Sequence, residues 1–194
     1  MSIDNKTLFI RGEKISLRPV DLDDVEGDYL RWVNDSSVTQ YMGTLCFPTT
    51  KTALRQYIEK QIGDRDVVFF AVVENENGKH IGNAKLGPID WINRRTSFGR
   101  MVGDRSYWGK GYGTEITKLL LEYAFLVLNL NKVTGAVSVE NEGSIRSNLK
   151  AGFSVEGRLK EYIYNDGCYK DALFVGITRK EYMNIHHKSK QYDR

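Results

Sequence analysis

A chain of 194 residues, 41% hydrophobic and 27% charged, has the size and composition of one compact domain and enough bulk to bury about 70% of its unfolded surface. Disordered, collagen-like and linker-rich architectures are thereby excluded, and no run of about 18 apolar residues offers a membrane-spanning helix. The net charge of +3 comes from 28 Lys and Arg against 25 Asp and Glu; the whole excess lies in Arg179–Arg194, whereas a nucleic-acid binder would spread a basic stripe over its fold.

Along the chain, Ile15, Leu17 and Pro19 alternate with polar residues as a first strand would, and Asp21 offers an N-cap to a helix running towards Trp32. Ala53, Leu54, Tyr57, Ile58 and Ile62 recur at helical spacing. Three strand-like runs follow, Val67–Val73, His80–Leu86 and Thr96–Val102, joined by short turns into an antiparallel meander. Ile116, Leu119, Leu120, Tyr123, Ala124 and Val127 then mark one face of a helix of about four turns, and the β-branched run Val133–Val139 suits a buried strand. A shorter helix from Ser144 stops at Gly152, a plausible C′ glycine. A hairpin, Leu159–Tyr164 and Tyr169–Ile177 turned by Asn165-Asp166-Gly167, ends the chain. The order βααβββαβαββ predicts an α+β fold: one mixed sheet, antiparallel first, with a βαβ crossover near its middle and helices on both faces. Residues 1–184 are expected to form this single domain, and 185–194 a polar basic tail.

Cys46 and Cys168 match no zinc or redox spacing and read as free thiols of a reducing compartment. The segment MSIDNKTLFIRGEK lacks a signal peptide's apolar core, so a cytoplasmic location is expected. His80 alternates within a strand, His186 and His187 sit in the polar tail, and no metal site is expected.

The most informative stretch is Trp108-Gly-Lys-Gly-Tyr-Gly-Thr-Glu115, between a strand and a helix. Gly109, Gly111 and Gly113 let the backbone take positive φ and bring successive N–H groups to a ligand. Added to the open N–H groups and positive end of the next helix, they suit an anion such as phosphate. A dinucleotide fingerprint needs glycine where Thr114 or Ile116 stands, and a Walker loop needs Ser or Thr after Lys110, where Gly111 stands. A plain flexible turn is the remaining alternative.

Trp108–Gly113 resembles the pyrophosphate loop Q/R-x-x-G-x-G/A of GCN5-related N-acetyltransferases, with Gly111 and Gly113 on the motif glycines and Trp108 in place of Gln or Arg. Tyr-Trp-Gly-Lys-Gly is similar to the branch containing ribosomal-protein N-terminal, spermidine and amino-sugar acetyltransferases. The resemblance runs from about Lys14 to Tyr182 and includes Ile81-Gly82-Asn83, Ala124–Lys132, Glu140–Ser144, Lys150–Phe153 and Glu156-Gly157.

The resemblance implies acetyl-CoA in a gap between the strand before the glycine loop and the strand after its helix. Its pantetheine would add to the edge near Met101, Val102 and Gly103, one N–H there would polarise the thioester, and a substrate amine would attack directly. Trp108, Gly109, Lys110, Gly111, Tyr112, Gly113 and Thr114 would meet the diphosphate. Asn141 resembles the asparagine that holds the pantetheine, or is an ordinary loop residue. Arg146 and Lys150 would meet nucleotide phosphates or stand solvated. Asn148 occupies the position of the family's tyrosine acid, which excludes a tyrosine there, and belongs with the coenzyme-contacting set. Ser144 resembles the serine acid of the ribosomal enzymes, or caps its helix. Asp90 and Glu161 are the base candidates, with a water relay as the alternative.

The resemblance places acceptor recognition in the first two helices and the final hairpin, here Trp32, Asn34, Tyr41, Trp91, Tyr162 and Tyr164; core packing explains most of these equally well. Ile81–Arg95 and Ser144–Asn148 look like acetyltransferases of bacterial surface-sugar pathways, so the expected acceptor is a nucleotide-linked amino sugar. A protein N-terminus or a polyamine is the alternative, and a silent acyl-CoA sensor the non-enzymatic one. The expected partner is a small-molecule amine, with no nucleic acid and no membrane insertion; a homodimer is left open.

Overall fold

The computed structural model describes residues 7–42, 47–165 and 167–192, and side chains up to His186. Cys46 and Asp166 lie outside the described residues. Eight strands form one sheet: β1 (Ile10–Arg11), β2 (Ile15–Pro19), β3 (Val68–Glu74), β4 (His80–Asp90), β5 (Arg95–Val102), β6 (Lys132–Ser138), β7 (Ser154–Asn165) and β8 (Cys168–Thr178). Their spatial order is β1-β2-β3-β4-β5-β6-β8-β7. All neighbours are antiparallel except β5 and β6, which the crossover helix makes parallel.

The helices are α1 (Tyr29–Val33), α2 (Ser36–Thr39), α3 (Lys51–Ile62), α4 (Tyr112–Glu122), α5 (Glu142–Lys150) and α6 (Arg179–Tyr192). On one face of the sheet, α1 and α3 bury Trp32, Val33, Leu54 and Ile58 with Met101. On the other, α4 buries Ile116, Leu120 and Leu121 against Ile15, Leu17, Val72, Ile81 and Val133. Thr50 caps α3, its Oγ1 accepting from the Ala53 N–H at 3.1 Å, and Leu54 and Ile58, four apart, share the inward face.

The expected order of elements is present, with the short strand β1 and the short helix α2 added and three further differences. Asp21 caps a 3-10 turn, Leu22–Glu26, and the helix proper is the short α1. The four-turn helix is α4 continued by a wider π turn over Tyr123–Val127. The expected tail is helical: α6 follows β8 directly, anchored by Tyr182, whose ring lies 5.1 Å from that of Phe125.

Candidate active site

The site begins where the sheet opens. β5 and β6 are in register only at Arg95–Lys132, Thr96–Val133 and Ser97–Thr134; beyond that, Phe98–Val102 and Gly135–Ser138 diverge as the walls of a cleft of about 740 Å³. The Gly103 N–H donates to the Ile81 carbonyl at 2.9 Å. Antiparallel alternation then commits Met101 to β4 and turns the backbone groups of Arg100 and Val102 towards the gap. Val102's carbonyl does point outward, accepting from Trp108 Nε1 at 2.7 Å. An open strand edge of this kind accepts an extended ligand as an added strand.

At the far end of β5 the chain makes the glycine loop. Gly109 and Gly111 have φ of 73° and 90°, in the left-handed region. Gly111 is the N-cap of α4 and supplies no capping side chain, so the first N–H groups of the helix are open towards the cleft. Glu115, the acidic residue of that first turn, accepts instead from the Lys14 and Ile15 N–H groups at 2.8 and 3.3 Å, which leaves the anion site without a competing carboxylate. Lys14 Nζ donates to the Lys110 carbonyl at 3.2 Å. Lys110 itself is exposed and absent from the cleft wall; Gly109, Gly111, Tyr112, Gly113 and Thr114 line it.

The opposite wall is α5. Its N-cap is Asn141, whose Oδ1 accepts from the Ser144 N–H at 3.0 Å. Ser144 therefore does not cap the helix, and its hydroxyl faces the cleft. Arg146 and Lys150 also line the cleft, with Arg146 paired to Glu142 at 2.7 Å. Asn148 is fully buried and lies behind the wall; its Oδ1 accepts from Arg100 Nη1 at 2.7 Å. Arg100 Nη2 reaches Ser144 Oγ at 3.3 Å. Burial pushes the Arg100 pKa down to about 10.

A second cavity, of about 450 Å³, opens off the cleft at Met42, Gly99, Arg100 and Met101 and is walled by Tyr29, Tyr57, Phe69, Asn83 and Lys85. Lys85 Nζ donates to Gln61 Oε1 at 2.7 Å and lies 5.7 Å from the Tyr57 ring centre; burial lowers its pKa. Asn83 Oδ1 is buried and has no hydrogen-bond partner among the described residues. No carboxylate lines either cavity among the described residues.

Most of the expected acceptor residues lie elsewhere. Tyr41 lines the cleft, and its hydroxyl donates to the Glu140 carbonyl at 3.3 Å. Trp32 is in the core, 2% exposed, because its indole packs on Gly103 and His80. Asn34 ties α1 to the entry of α3, donating to the Leu30 and Thr49 carbonyls at 2.9 Å. Trp91 donates to Asp66 at 2.8 Å; Tyr162 and Tyr164 stand exposed on the hairpin; none of the three lines either of these two cavities. Neither base candidate lines these two cavities. Asp90 accepts from the Asn93 N–H and side chain, which hold its carboxyl below the usual range. Glu161 sits at φ 49° in an irregular stretch of β7, exposed.

An acetyltransferase (GNAT) domain model matches residues 14–154. The chain belongs to the GNAT acetyltransferases. It is 34% identical to the spermidine N(1)-acetyltransferase of Escherichia coli (strain K12) over 89% of this chain and 90% of that protein. It is 29% identical to the putative ribosomal N-acetyltransferase YdaF of Bacillus subtilis over 55% of this chain and 57% of that one. The crystal structure of spermidine N-acetyltransferase from Vibrio cholerae in complex with CoA and spermine superposes with a TM-score of 0.81 at 25% identity, over 89% of this chain and 99% of that chain.

As a GNAT enzyme the protein is an acetyl-CoA-dependent N-acetyltransferase. The cleft fits the coenzyme: an unpaired strand edge for the pantetheine arm, left-handed glycines and an uncapped helix end for the diphosphate, and cations along α5. Bound there, acetyl-CoA supplies an activated acetyl group. Sequence reading missed Arg100, Lys85, Asn83, Tyr29 and Tyr57. No local pattern marked them, since β4 and β5 carry other polar and charged residues and Asp104 stands four residues after Arg100.

Proposed function

We propose that this GNAT enzyme acetylates the primary amine of a small molecule that is not a polycation, and that a nucleotide-linked amino sugar is the acceptor class. The lining of the second cavity carries this reading: Lys85 is the cation whose side chain stands on that face of the sheet, with Tyr29, Tyr57, Phe69 and Met101 as apolar wall, while Arg100 borders the opening and sends its guanidinium to α5. Aromatic walls with a few polar groups suit a sugar ring, and cations suit the negative phosphates of its carrier. A polyamine, by contrast, would bring two or more ammonium groups into a dry pocket holding the same charge.

The same charges serve the chemistry. Only a neutral amine attacks a thioester, and a largely apolar site beside Lys85 disfavours the ammonium form, so the proton leaves to water without a carboxylate base. Asn83 Oδ1 is an acceptor for the remaining N–H. Ser144, on the cleft wall of α5, donates a hydrogen bond through its hydroxyl to the departing sulfur.

Identity of 34% to a spermidine acetyltransferase favours the polyamine reading instead, and the two separate cleanly. With acetyl-CoA fixed, kcat/KM is expected to be about 100-fold higher for a nucleotide-linked amino sugar than for spermidine, a difference of about 2.7 kcal/mol at the transition state. Equal or better turnover of spermidine, or turnover confined to peptide N-termini, would overturn the amino-sugar assignment.

A further inference from the structure

We propose that Arg100 holds the coenzyme sulfur as an anion, so that the thiol departs as a thiolate paired with this guanidinium and no acid needs to protonate it. The proposal rests on the cleft being the acetyl-CoA site.

Arg100 stands on β5 three residues beyond the last one paired with β6 and lines the cleft. Its side chain crosses to α5, where Nη1 meets Asn148 Oδ1 at 2.7 Å and Nη2 meets Ser144 Oγ at 3.3 Å and the Ser144 carbonyl at 3.4 Å. Gly113 of the loop flanks it, and the Phe98 ring centre lies 5.6 Å from the guanidinium. Every one of these partners is neutral. Among the described residues no carboxylate pairs with Arg100, whereas Arg18, Arg146 and Arg158 each have one, in Asp24, Glu142 and Asp171. The other charged groups on the cleft wall, Arg146 and Lys150, are also cations. A half-buried guanidinium with only neutral partners stabilises whatever anion reaches it.

The diphosphate belongs at the glycine loop; although Gly113 flanks the guanidinium, its hydrogen bonds run to Asn148 and Ser144 on α5, so the anion assigned to it is the one made by the reaction. The amine nitrogen bonds to the acetyl carbon, the carbon–sulfur bond breaks with its electron pair going to sulfur, and the proton shed by nitrogen leaves to water. No group beside Arg100 has the strength to protonate that sulfur. Asn148 has no acidic proton, and a serine hydroxyl is a far weaker acid than a thiol of pKa about 8.5. None of the cleft's phenols is bonded to Arg100: Tyr41 donates to the Glu140 carbonyl, Tyr107 accepts from Asn77 Nδ2, and the Tyr112 ring packs edge-on against Tyr107.

The test needs no acceptor. CoA bound to the full-length protein is titrated by its thiolate absorbance, with the desulfo-CoA complex as the spectral blank. In the wild type the bound thiol is expected to ionise at least one pH unit below free CoA. Arg100→Gln is expected to raise the bound value to or above that of free CoA while desulfo-CoA affinity stays within twofold, which also shows that the cleft is intact. Arg100→Lys is expected to restore most of the drop. A wild-type thiol that ionises no lower than free CoA overturns the proposal, as does an Arg100→Gln variant that weakens CoA and desulfo-CoA alike, since the guanidinium would then serve the phosphates or the fold. A wild type that binds neither compound sinks the coenzyme site itself.

Discussion

Single residues on the cleft wall separate capping from chemistry. Because Asn141 is the cap of α5 and Ser144 is not, their alanine variants are expected to fail in different ways. Asn141→Ala loses about 1 kcal/mol of stability, visible as a lower melting temperature. Ser144→Ala melts like the wild type and binds CoA equally well, but turns over about 10- to 100-fold more slowly, the loss of one hydrogen bond to a charged group. Equal turnover in Ser144→Ala would remove the hydroxyl from the reaction. Gly111 is a conformational case: a Cβ there meets nothing closer than Lys14 Nζ at 3.9 Å, yet φ is 90°. Gly111→Val should therefore cost about 1–2 kcal/mol in backbone strain and loosen the loop, with CoA affinity down at least tenfold by calorimetry. Unchanged affinity would mean that the loop does not hold the diphosphate.

At the scale of elements, the cleft depends on how β5 leaves the sheet. A Cβ on Gly103 would lie 2.0 Å from Trp32 Cδ2, in a fully packed core. Gly103→Ala must displace the indole of α1, and a loss of about 1–3 kcal/mol follows from overpacking; a melting temperature within 2 °C of wild type would contradict that tight contact, on a scale of roughly 2–4 °C per kcal/mol. Asp104 caps the next turn, accepting from the Ser106 N–H and hydroxyl and pairing with Lys79 at 2.6 Å. The Lys79 hydrogen bond leads the effects that hold its pKa at about 2, below the ordinary 3.8. A lowered carboxyl pKa stabilises the fold above the unfolded value and loses that contribution as pH falls through the folded one. Between pH 4 and 2 the wild type should therefore lose melting temperature faster than Asp104→Asn. The element order was legible because each strand and helix carries its own period: Leu54 and Ile58, or Ile116 and Leu120, repeat at helical spacing without reference to the rest of the chain. The acceptor cavity was not legible in the same way. Tyr29, Asn83, Lys85 and Met101 come from α1, β4 and β5, and it is the long-range β4–β5 register that sets Asn83 opposite Met101. Trp32 misled because an aromatic on a first helix reads alike whether it faces a ligand or a glycine.

For the molecule as a whole, the parted strands leave β5 and β6 with backbone groups that have no strand neighbour over half their length. Two half-sheets hinge on three residue pairs, and the ligand that fills the gap supplies the missing ladder. Anything that binds only the folded form adds RT ln(1 + [L]/Kd), about 2.7 kcal/mol at one hundred times Kd. Amide exchange at Arg100 and Val102 should slow when CoA is added, while amides in β3, already paired on both sides, should barely respond. In a cell, where proteolysis follows the population of opened chains, the abundance of this enzyme would then track its coenzyme supply: a shortage of CoA would thin out the catalyst as well as idle it.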